Sequence, residues 1–444
     1  MRKYSAYKPS GIEWIGEIPE HWKVKKLKYL ITNNDGGVWG NDGGNLYVLR
    51  STEINVDGSW NYENEPAKRD LSDSEFSKSI LKESDLLITK SSGSELHIGK
   101  TGLVNRKIAD MKCCFSNFMQ RIRPKNNQNS NLLFHYLNSN LAREQYNYLS
   151  NTTTGLANLS AEIIANVLVP NPPTLDEQIA IANYLDKKTA KIDELIKQKE
   201  KLLLLFEEDK IGIINNAVTK GINSEVKLKD SEIEWLGLIP EHWKVKRFKY
   251  LGKFINGFSF NSSDFVNSGI RVIKISNIQT MTLDWSDESF VEDVFYDNYP
   301  SFRVYENDLV FALTRPIIST GIKAAIVNSS EKLLLNQRNS MFRVTSAVNT
   351  RWMYYLVLSK NFIQEFDKQI DKTGQQPNIS SNDIAEIYVP VPEINEQLSV
   401  INYLDNECKR IDEIKNKIKI QIEVFKEYKT ALISEVATGK VKVI

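Results

Sequence analysis

The most constraining feature of this chain is an internal repeat that involves both of its halves. Residues 12–30 read IEWIGEIPEHWKVKKLKYL and residues 233–251 read IEWLGLIPEHWKVKRFKYL, so fifteen of nineteen positions are identical at an offset of 221 residues. A second match lies near the end of each half, where Glu177-Gln178 and Glu396-Gln397 open similar stretches. Because the ends of the two units match and their middles do not, the sequence predicts one scaffold used twice, with different surfaces for two targets.

Composition narrows the class of protein. The chain has 444 residues, of which 41% are hydrophobic and 25% are charged, as in ordinary globular proteins. No stretch approaches the roughly 20 apolar residues that a membrane span needs. Three cysteines, two of them adjacent at Cys113-Cys114, do not fit a disulfide framework, and four histidines without a CxxC pair give no zinc pattern. We therefore expect a cytoplasmic protein without a metal site.

A short basic segment stands out although the net charge is only +1. Lysines alternate with apolar residues at 23–28, and the segment recurs at 244–249. The alternation is typical of a strand whose lysines face water. Lysines on such a face can still contact phosphate, so both interpretations stay open.

Each half continues as a mixture of strand and helix signals. Short β-branched runs bounded by Gly, Asn, Asp or Ser predict strands, as at 85–89 and 271–275. Helical patterns and then proline-rich boundaries follow in both halves, at 131–148, 169–173, 350–369 and 389–392. Proline often stands just ahead of a helix. The mixture predicts an α+β globule of about 170 residues in each half.

Heptad patterns follow both proline boundaries. Apolar residues lie seven apart, or at multiples of seven, at Leu185, Ile192, Phe206 and Ile213 and again at Leu404, Ile411, Ile418, Phe425 and Leu432. Such a pattern predicts two long helices. The first should run from about residue 175 to 219 and measure roughly 65–70 Å.

Two helices of matched length and phase bury their apolar stripes best against each other. The chain must leave along one helix and return along the other, so the predicted pair is antiparallel. The predicted fold is thus α+β, with two similar globular domains joined by two long antiparallel coiled-coil helices in an internal pseudo-two-fold repeat. The alternative is two surface helices, each packed on its own globule.

The expected helix–helix interface comprises Leu185, Ile192, Phe206, Ile411, Ile418 and Phe425. The expected domains are 1–171, 172–222, 223–391 and 392–444.

Three segments resemble catalytic or nucleotide-binding motifs but depart from them. Asn171-Pro172-Pro173-Thr174 has threonine where amino-group DNA methyltransferases need an aromatic residue to stack on a flipped base. Residues 93–101 place five residues between the glycines of a phosphate-binding loop that requires four. Residues 207–210, Glu-Glu-Asp-Lys, lie within the heptads, where charges ordinarily form a solvated face. We expect no catalytic residues in this chain.

Several segments together resemble the specificity subunits of type I restriction–modification systems. They are the Glu-Trp-x-Gly-x-Ile-Pro-x-His-Trp opening of both halves, residues 269–278, the proline boundaries followed by Glu-Gln, and the loops at 154–160 and 373–380. The resemblance extends over nearly the whole chain. In the first half, residues 50–55 match 274–278 only loosely.

The resemblance implies a non-catalytic DNA-binding subunit. In this family each recognition domain recognises one half of a split, asymmetric DNA target, and the helices space the domains and bind two modification subunits. Those methyltransferase subunits hold S-adenosylmethionine and methylate adenine, and restriction (motor-nuclease) subunits join them; no cofactor is expected in this chain. The alternative from a different class is a structural adaptor with two protein-binding globules on a coiled-coil spacer.

Candidate DNA contacts are polar and basic residues expected to be exposed in the variable loops. They are Lys90, Ser92, Ser94 and Lys100 in the first domain, and Arg315, Arg338, Gln375 and Gln376 in the second. Arginine can form two hydrogen bonds with guanine, and glutamine two with adenine. The alternative for each residue is an ordinary surface loop.

Overall fold

The computed structural model describes residues 2–92, 97–150 and 158–443. The chain divides into two compact units, of which unit 1 comprises Met1–Glu200 with Ile420–Ile444 and unit 2 comprises Lys201–Lys419. Both units mix sheets with helices, and two long helices continue from one unit into the other. The predicted α+β fold, with two similar domains and long helices, is confirmed.

Unit 1 is built from short strands, short helices and the beginning of a long helix. Its strands are β1 (Tyr7–Pro9), β2 (Glu17–Pro19), β3 (Lys23–Lys26), β4 (Ile31–Gly36), β5 (Asn41–Leu49), β6 (Ala67–Asp70), β7 (Leu86–Thr89), β8 (Thr101–Leu103), β9 (Cys114–Phe115), β10 (Met119–Pro124) and β11 (Leu168–Asn171). Its helices are α1 (Asp73–Ser79), α2 (Arg106–Asp110), α3 (Ser130–Leu137), α4 (Asn140–Ser150), α5 (Ala161–Asn166) and the first part of α6 (Leu175–Lys220).

The central sheet of unit 1 is antiparallel, in the order β4-β10-β7-β8. All four residues of β7 are buried, which explains its uninterrupted Leu-Leu-Ile-Thr sequence. A second sheet has the order β6-β5-β9, in which β5 and β9 are parallel. Residues 23–26 of the basic segment form β3, which pairs with β11, so the predicted strand is confirmed there, whereas Leu27–Tyr29 form a short 3-10 helix.

Unit 2 repeats this plan with additional strands. Its strands are β12 (Leu228–Asp230), β13 (Leu238–Pro240), β14 (Lys244–Arg247), β15 (Gly252–Asn256), β16 (Phe265–Val266), β17 (Ile270–Ile273), β18 (Phe290–Val291), β19 (Arg303–Val304), β20 (Leu309–Ala312), β21 (Ile317–Ile318), β22 (Gly321–Ile322), β23 (Ala324–Ile326), β24 (Leu333–Leu335), β25 (Asn339–Val344) and β26 (Tyr388–Val391). Its helices are α7 (Asp293–Asn298), α8 (Thr350–Leu358), α9 (Lys360–Lys368), α10 (Ser381–Glu386) and α11 (Ile394–Ala437), the last of which ends in unit 1.

The sheets of unit 2 correspond to those of unit 1. The central antiparallel sheet has the order β15-β25-β20-β23, and β14 pairs with β26 as β3 pairs with β11. The second sheet has the order β16-β18-β17-β24-β19 and contains one parallel pair, β17 with β24. Aromatic rings fill the core, with Phe248 lying 4.6 Å from Phe342 and Trp243 lying 5.5 Å from Trp352 between ring centroids.

Within each unit, segments of α6 and α11 pack side by side. In unit 1, Leu185 and Ile192 share an apolar cluster with Leu432 and Val436. In unit 2, Lys415 pairs with Glu207 while Lys210 pairs with Asp412, so residue numbers rise on one helix as they fall on the other. The two segments in unit 2 are therefore antiparallel.

The predicted interface residues differ in burial. Leu185, Ile192, Ile411 and Ile418 are buried, and Phe206 and Phe425 are half-buried. Their assignment to one helix–helix interface stays a prediction, as do the four domain boundaries. One expectation about the helices was wrong: Lys210 does not lie on a solvated face, because its side chain is only 9% exposed and its ammonium lies 2.8 Å from the Asp412 carboxylate.

Local chemistry explains where the long helices begin and end. The Thr174 hydroxyl accepts a hydrogen bond from the Glu177 N–H, which gives the threonine of the Asn-Pro-Pro-Thr segment the role of a helix cap. Gly221 follows α6 with φ of 72°, and Gly439 lies two residues beyond α11 with φ of 74°. Glycine adopts this left-handed conformation without strain, which suits it to the end of a helix. Among the described residues, no helix is both long and apolar enough to span a bilayer.

Candidate nucleic-acid interface

The strand ends of the central sheet in unit 2 form a defined backbone framework. Leu313, just after β20, donates its N–H to the Arg338 carbonyl at 2.8 Å and accepts a hydrogen bond from the Ile379 N–H at 2.9 Å. Next in the chain, the Thr314 hydroxyl donates to the Asn378 side-chain oxygen at 2.6 Å. These bonds hold the loop at 373–380 against the ends of β20 and β25.

The same framework occurs in unit 1. Lys90, just after β7, donates its N–H to the Phe118 carbonyl at 2.9 Å and accepts from the Leu159 N–H at 3.0 Å. The Ser91 hydroxyl donates to the Asn158 side-chain oxygen at 2.8 Å. Lys90, Phe118 and Leu159 therefore correspond to Leu313, Arg338 and Ile379 of unit 2. Ser91 and Asn158 correspond to Thr314 and Asn378.

Side chains on this framework line two adjoining grooves in unit 2. The grooves have volumes of about 500 and 700 Å³ and share Thr314, Arg338 and Gln376. Gln375 lines the first groove and Arg315 the second, so the structure brings together all four residues predicted for the second domain. Within the described residues, neither groove is lined by an aspartate or a glutamate. The larger groove is basic, with Arg315, Lys323 and Arg338 among its lining residues, and the smaller groove combines Arg338 with polar side chains. This lining suits an anionic partner.

Both arginines occupy an unusual backbone conformation. Arg315 has φ of 48° and Arg338 has φ of 62°, in the left-handed region that few non-glycine residues adopt. Both side chains are exposed, and neither makes an ion pair within the described ranges. A non-glycine residue held in this conformation costs of order 1–3 kcal/mol, and such residues cluster at functional sites.

The candidates in unit 1 have different surroundings. Lys90 and Ser92 are half-buried, and burial lowers the pKa of the Lys90 ammonium below its usual value. Ser94 lies outside the described residues. Phe118, which the sequence analysis missed, is 54% exposed at the position equivalent to Arg338. An exposed aromatic residue in a loop carries no sequence pattern, so only the structural equivalence identifies it.

Lys100 corrects an expectation, because it is not exposed. It is 4% exposed, and its ammonium donates to the Ile54 carbonyl at 2.5 Å. Burial lowers its pKa, and the nearby Glu53 carboxylate partly offsets the effect. Lys323 is the counterpart in unit 2: it is 7% exposed and donates to the Ile275 carbonyl at 2.5 Å. From the sequence, Lys100 was expected to be exposed and Lys323 was not singled out, because a lysine beside a strand is ordinarily solvated.

Lys323 also contributes to the groove of unit 2. It lines the larger groove together with Arg315 and Arg338. Burial lowers its pKa, and the positive charge of Arg315 lowers it further. Its bond to the Ile275 carbonyl fixes one wall of the groove, because Ile275 is itself a lining residue.

The repeated opening motif holds the long helices to the units. In unit 1, Glu177 of α6 accepts hydrogen bonds from the Trp22 indole N–H at 3.0 Å and the Tyr4 hydroxyl at 2.9 Å, and lies 3.2 Å from His21 Nε2. In unit 2, Glu396 of α11 lies 2.8 Å from His242 Nε2. In each unit, therefore, the opening motif contacts the glutamate of the Glu-Gln pair.

The glutamine of each Glu-Gln pair completes the attachment. The Gln178 side-chain oxygen Oε1 accepts a hydrogen bond from the Asn129 N–H at 2.8 Å, and its side-chain Nε2 donates to the Pro172 carbonyl at 3.0 Å. Gln397 makes the same two bonds, with the Asn349 N–H at 2.8 Å and the Pro392 carbonyl at 2.9 Å. The proline boundaries thus have a structural role in both units.

The chain matches known proteins over most of its length. The family model for the type I restriction modification DNA specificity domain matches residues 19–204 and again residues 240–424. The type I restriction enzyme MjaVIII specificity subunit of Methanocaldococcus jannaschii is 28% identical over 434 residues, or 96% of this chain and 94% of that protein. The EcoKI specificity subunit of Escherichia coli K12 is 22% identical over 415 residues, or 91% and 85% of the two chains.

Solved structures share the fold. A chain from a study of complex assembly and conformational transition of the type I R-M system superposes with a TM-score of 0.73 at 14% identity, covering 96% of this chain and 99% of that one. The HsdS subunit from Thermoanaerobacter tengcongensis gives a TM-score of 0.58 at 14% identity, with coverage of 96% and 98%.

The fold and site define a protein with two recognition units of one design, joined by paired helices. The chain belongs to the type I restriction modification DNA specificity family, and the two matches to that family's domain lie almost wholly in unit 1 and in unit 2 respectively.

Proposed function

We propose that this chain recognises a split, asymmetric DNA target for a type I restriction–modification complex, with one half-site for each unit. The observation that carries this proposal is the pair of grooves in unit 2, where Arg315, Arg338 and Gln376 meet on a framework that unit 1 repeats. Equivalent positions with unlike side chains are what two unlike half-sites require.

The grooves have suitable chemistry for duplex DNA. Arginine side chains can contact both phosphate and the guanine edge, and glutamine can form two hydrogen bonds with adenine. The absence of lining carboxylates among the described residues removes a source of repulsion for phosphate. Lysines on β3 and β14 are candidates for additional phosphate contacts, because Lys23 and Lys244 are exposed.

The catalytic steps belong to partner subunits in this proposal. Two methyltransferase subunits hold S-adenosylmethionine and methylate adenine, restriction subunits cleave unmodified DNA, and this chain itself catalyses nothing. The long helices are the proposed contact surface. On α6 in unit 2, Leu204 and Leu205 are 68% and 49% exposed, and on α11 in unit 1, Ile420 and Val424 are 64% and 55% exposed. Exposed apolar residues on neighbouring turns are typical of a protein contact.

Duplex binding by the full-length chain, together with its methyltransferase partner, tests the proposal. Mapping of methylated adenines in a host that carries the system would first define the target. The double variant Arg315→Ala/Gln376→Ala should then weaken binding to that target by roughly 10-fold or more, because each lost bidentate contact is worth about 1–3 kcal/mol.

A matched control is Lys360→Ala, which removes an exposed positive charge of unit 2 that does not line either groove. Its binding should remain within about twofold of the wild-type value, since an isolated surface charge contributes little. Unchanged affinity and sequence preference in the double variant would refute the assignment of the groove. If the wild-type complex shows no sequence preference at all, the adaptor alternative is favoured instead.

A further inference from the structure

The framework of hydrogen bonds establishes which residues of the two units are structurally equivalent. The Phe118 carbonyl accepts a hydrogen bond from the Lys90 N–H, and the Arg338 carbonyl accepts one from the Leu313 N–H. Lys90 and Leu313 are the residues that follow β7 and β20. Each also immediately precedes the strand beside it, β10 or β25. Positions 118 and 338 are therefore the same position of the fold, although the sequences around them have little in common.

The side chains at this shared position have opposite chemistry. Phe118 is 54% exposed and offers an apolar aromatic ring without a hydrogen-bond donor. Arg338 is exposed, lines both grooves of unit 2 and makes no ion pair among the described residues. The same backbone hydrogen bond is present at this position in both units, but Arg338 has φ of 62° whereas Phe118 does not have a positive φ. The two residues therefore differ in backbone conformation as well as in side chain.

These two side chains match different base edges in the major groove of DNA. A guanidinium matches the two acceptors of guanine, N7 and O6, with two parallel hydrogen bonds. An aromatic ring has no donor for those acceptors, but it packs against the thymine methyl group. One structural position can thus select guanine in one unit and thymine in the other.

We propose that positions 118 and 338 are equivalent specificity-determining positions, with Arg338 recognising a guanine in the half-site of unit 2 and Phe118 recognising a thymine methyl in the half-site of unit 1. This inference rests on the proposed function and adds to it the base that each unit selects. It follows that the two half-sites differ at corresponding steps, which makes the whole target asymmetric.

Single substitutions in the full-length chain, bound to its methyltransferase partner, test the inference. The measurement is competition binding with duplexes in which every base pair of the mapped target is changed in turn. Arg338→Ala should lower discrimination roughly 5- to 140-fold at one G·C pair, and in one half-site only. Phe118→Ala should lower discrimination about fourfold at one A·T pair of the other half-site, the effect of losing one methyl contact.

Two further variants serve as controls. Lys360→Ala should leave discrimination unchanged at every position, because Lys360 lines neither groove. Arg338→Lys keeps the charge but loses the bidentate geometry, so it should weaken discrimination at the same G·C pair while phosphate attraction persists. If Arg338→Ala does not melt cooperatively like the wild type, Arg338→Lys supplies the decisive profile.

The outcomes separate this inference from the proposed function. A wild-type complex that selects no split sequence refutes the proposed function and, with it, this inference. A wild-type complex that selects one, while Arg338 variants relax no G·C pair, overturns the inference alone. The inference also fails if Phe118→Ala and Arg338→Ala relax positions in the same half-site.

Discussion

Units 1 and 2 have the same attachment to the long helices and the same central sheet, but they differ in the second sheet and in the side chains at the strand ends. Among the residues that the structure describes, the second sheet has three strands in unit 1 and five in unit 2. The strand order β4-β10-β7-β8 and its counterpart β15-β25-β20-β23 are the same. The two units therefore differ in the number of strands in the second sheet and agree in the strand order of the central sheet.

The attachment contacts show that equivalent motifs need not have equal strength. Glu177 is 8% exposed and accepts bonds from Trp22 and Tyr4 in addition to its contact with His21. The Glu396 side chain is 28% exposed and contacts His242, whereas the buried Trp243 indole N–H has no hydrogen-bond partner among the described residues. A buried donor without a partner is costly, so the attachment in unit 2 depends more on apolar packing.

The largest expected effect comes from lengthening both helices between the units. Inserting one heptad after Lys199 in α6 and another after Ile422 in α11 keeps the apolar stripes in phase and adds about 10 Å. If helix length sets the spacing of the half-sites, the gap should grow by about three base pairs, since B-DNA rises about 3.4 Å per pair. Binding to the original target should fall at least about a thousandfold.

Methylation mapping of this variant gives the new gap directly, and both half-sites should keep their sequences. Insertions of two residues at the same places are the control, because they break the heptad phase and should destabilise the fold. An active heptad variant that keeps the original gap would show that the helices do not set the spacing.

A smaller effect is expected from shortening one buried leucine in each unit. Leu185 and Leu404 occupy equivalent positions of the repeat, and both are fully buried. Replacing either by alanine should lower the free energy of unfolding by about 3 kcal/mol, through lost burial and a residual cavity. Hydrogen exchange should show the loss of protection concentrated in the unit that contains the change. The control Leu204→Ala changes a 68% exposed position and should have little effect on the free energy of unfolding. An equal loss of protection throughout both units would contradict the expectation that each unit responds separately.

The helix ion pairs should differ between the units. Asp412→Ala should lower the free energy of unfolding by about 2 kcal/mol, because it leaves the 9% exposed Lys210 side chain without its partner. Asp193→Ala should cost less than about 1 kcal/mol, since Lys429 is 22% exposed and remains better hydrated. Denaturant unfolding measures both. Adding Lys210→Met to Asp412→Ala should restore stability, and failure to do so would exclude an uncompensated charge as the cause.

The smallest contrast concerns the attachment glutamates. Glu177→Gln should lower the free energy of unfolding by about 1–2 kcal/mol, because a charged acceptor of buried hydrogen bonds is replaced by a neutral amide. Glu396→Gln should cost less than about 1 kcal/mol, because that carboxylate is more exposed and has fewer partners. Thermal melting of the two variants gives the comparison. Equal losses of stability in the two variants would mean that the hydrogen bonds from Trp22 and Tyr4 to Glu177 contribute nothing measurable.

Much of the architecture could be predicted because it is encoded locally. The heptads at 404–432 and the proline boundary before them predicted a long helix, and α11 spans Ile394–Ala437. The helical patterns at 131–148 and 350–369 correspond to α3 with α4 and to α8 with α9. These signals depend on residues only a few positions apart, so the sequence alone contains them.

The candidate site was predicted less completely. Arg315, Arg338, Gln375 and Gln376 do lie together, yet nothing in their separation along the chain predicts the grooves. Lys100 was expected to be exposed and is buried, while Phe118 and Lys323 were missed. In each case the outcome depends on contacts between distant residues, as between Lys323 and Ile275.

The sequence by itself determined that this protein consists of two like units with long heptad helices, because a repeat and a 3.5-residue period are properties of the order of residues. Only the tertiary structure decided that Phe118 and Arg338 are the same position, and that Lys100 and Lys210 are buried charges. The physical reason is that burial and equivalence are set by long-range backbone hydrogen bonds and packing, which bring together residues whose separation along the chain carries no pattern.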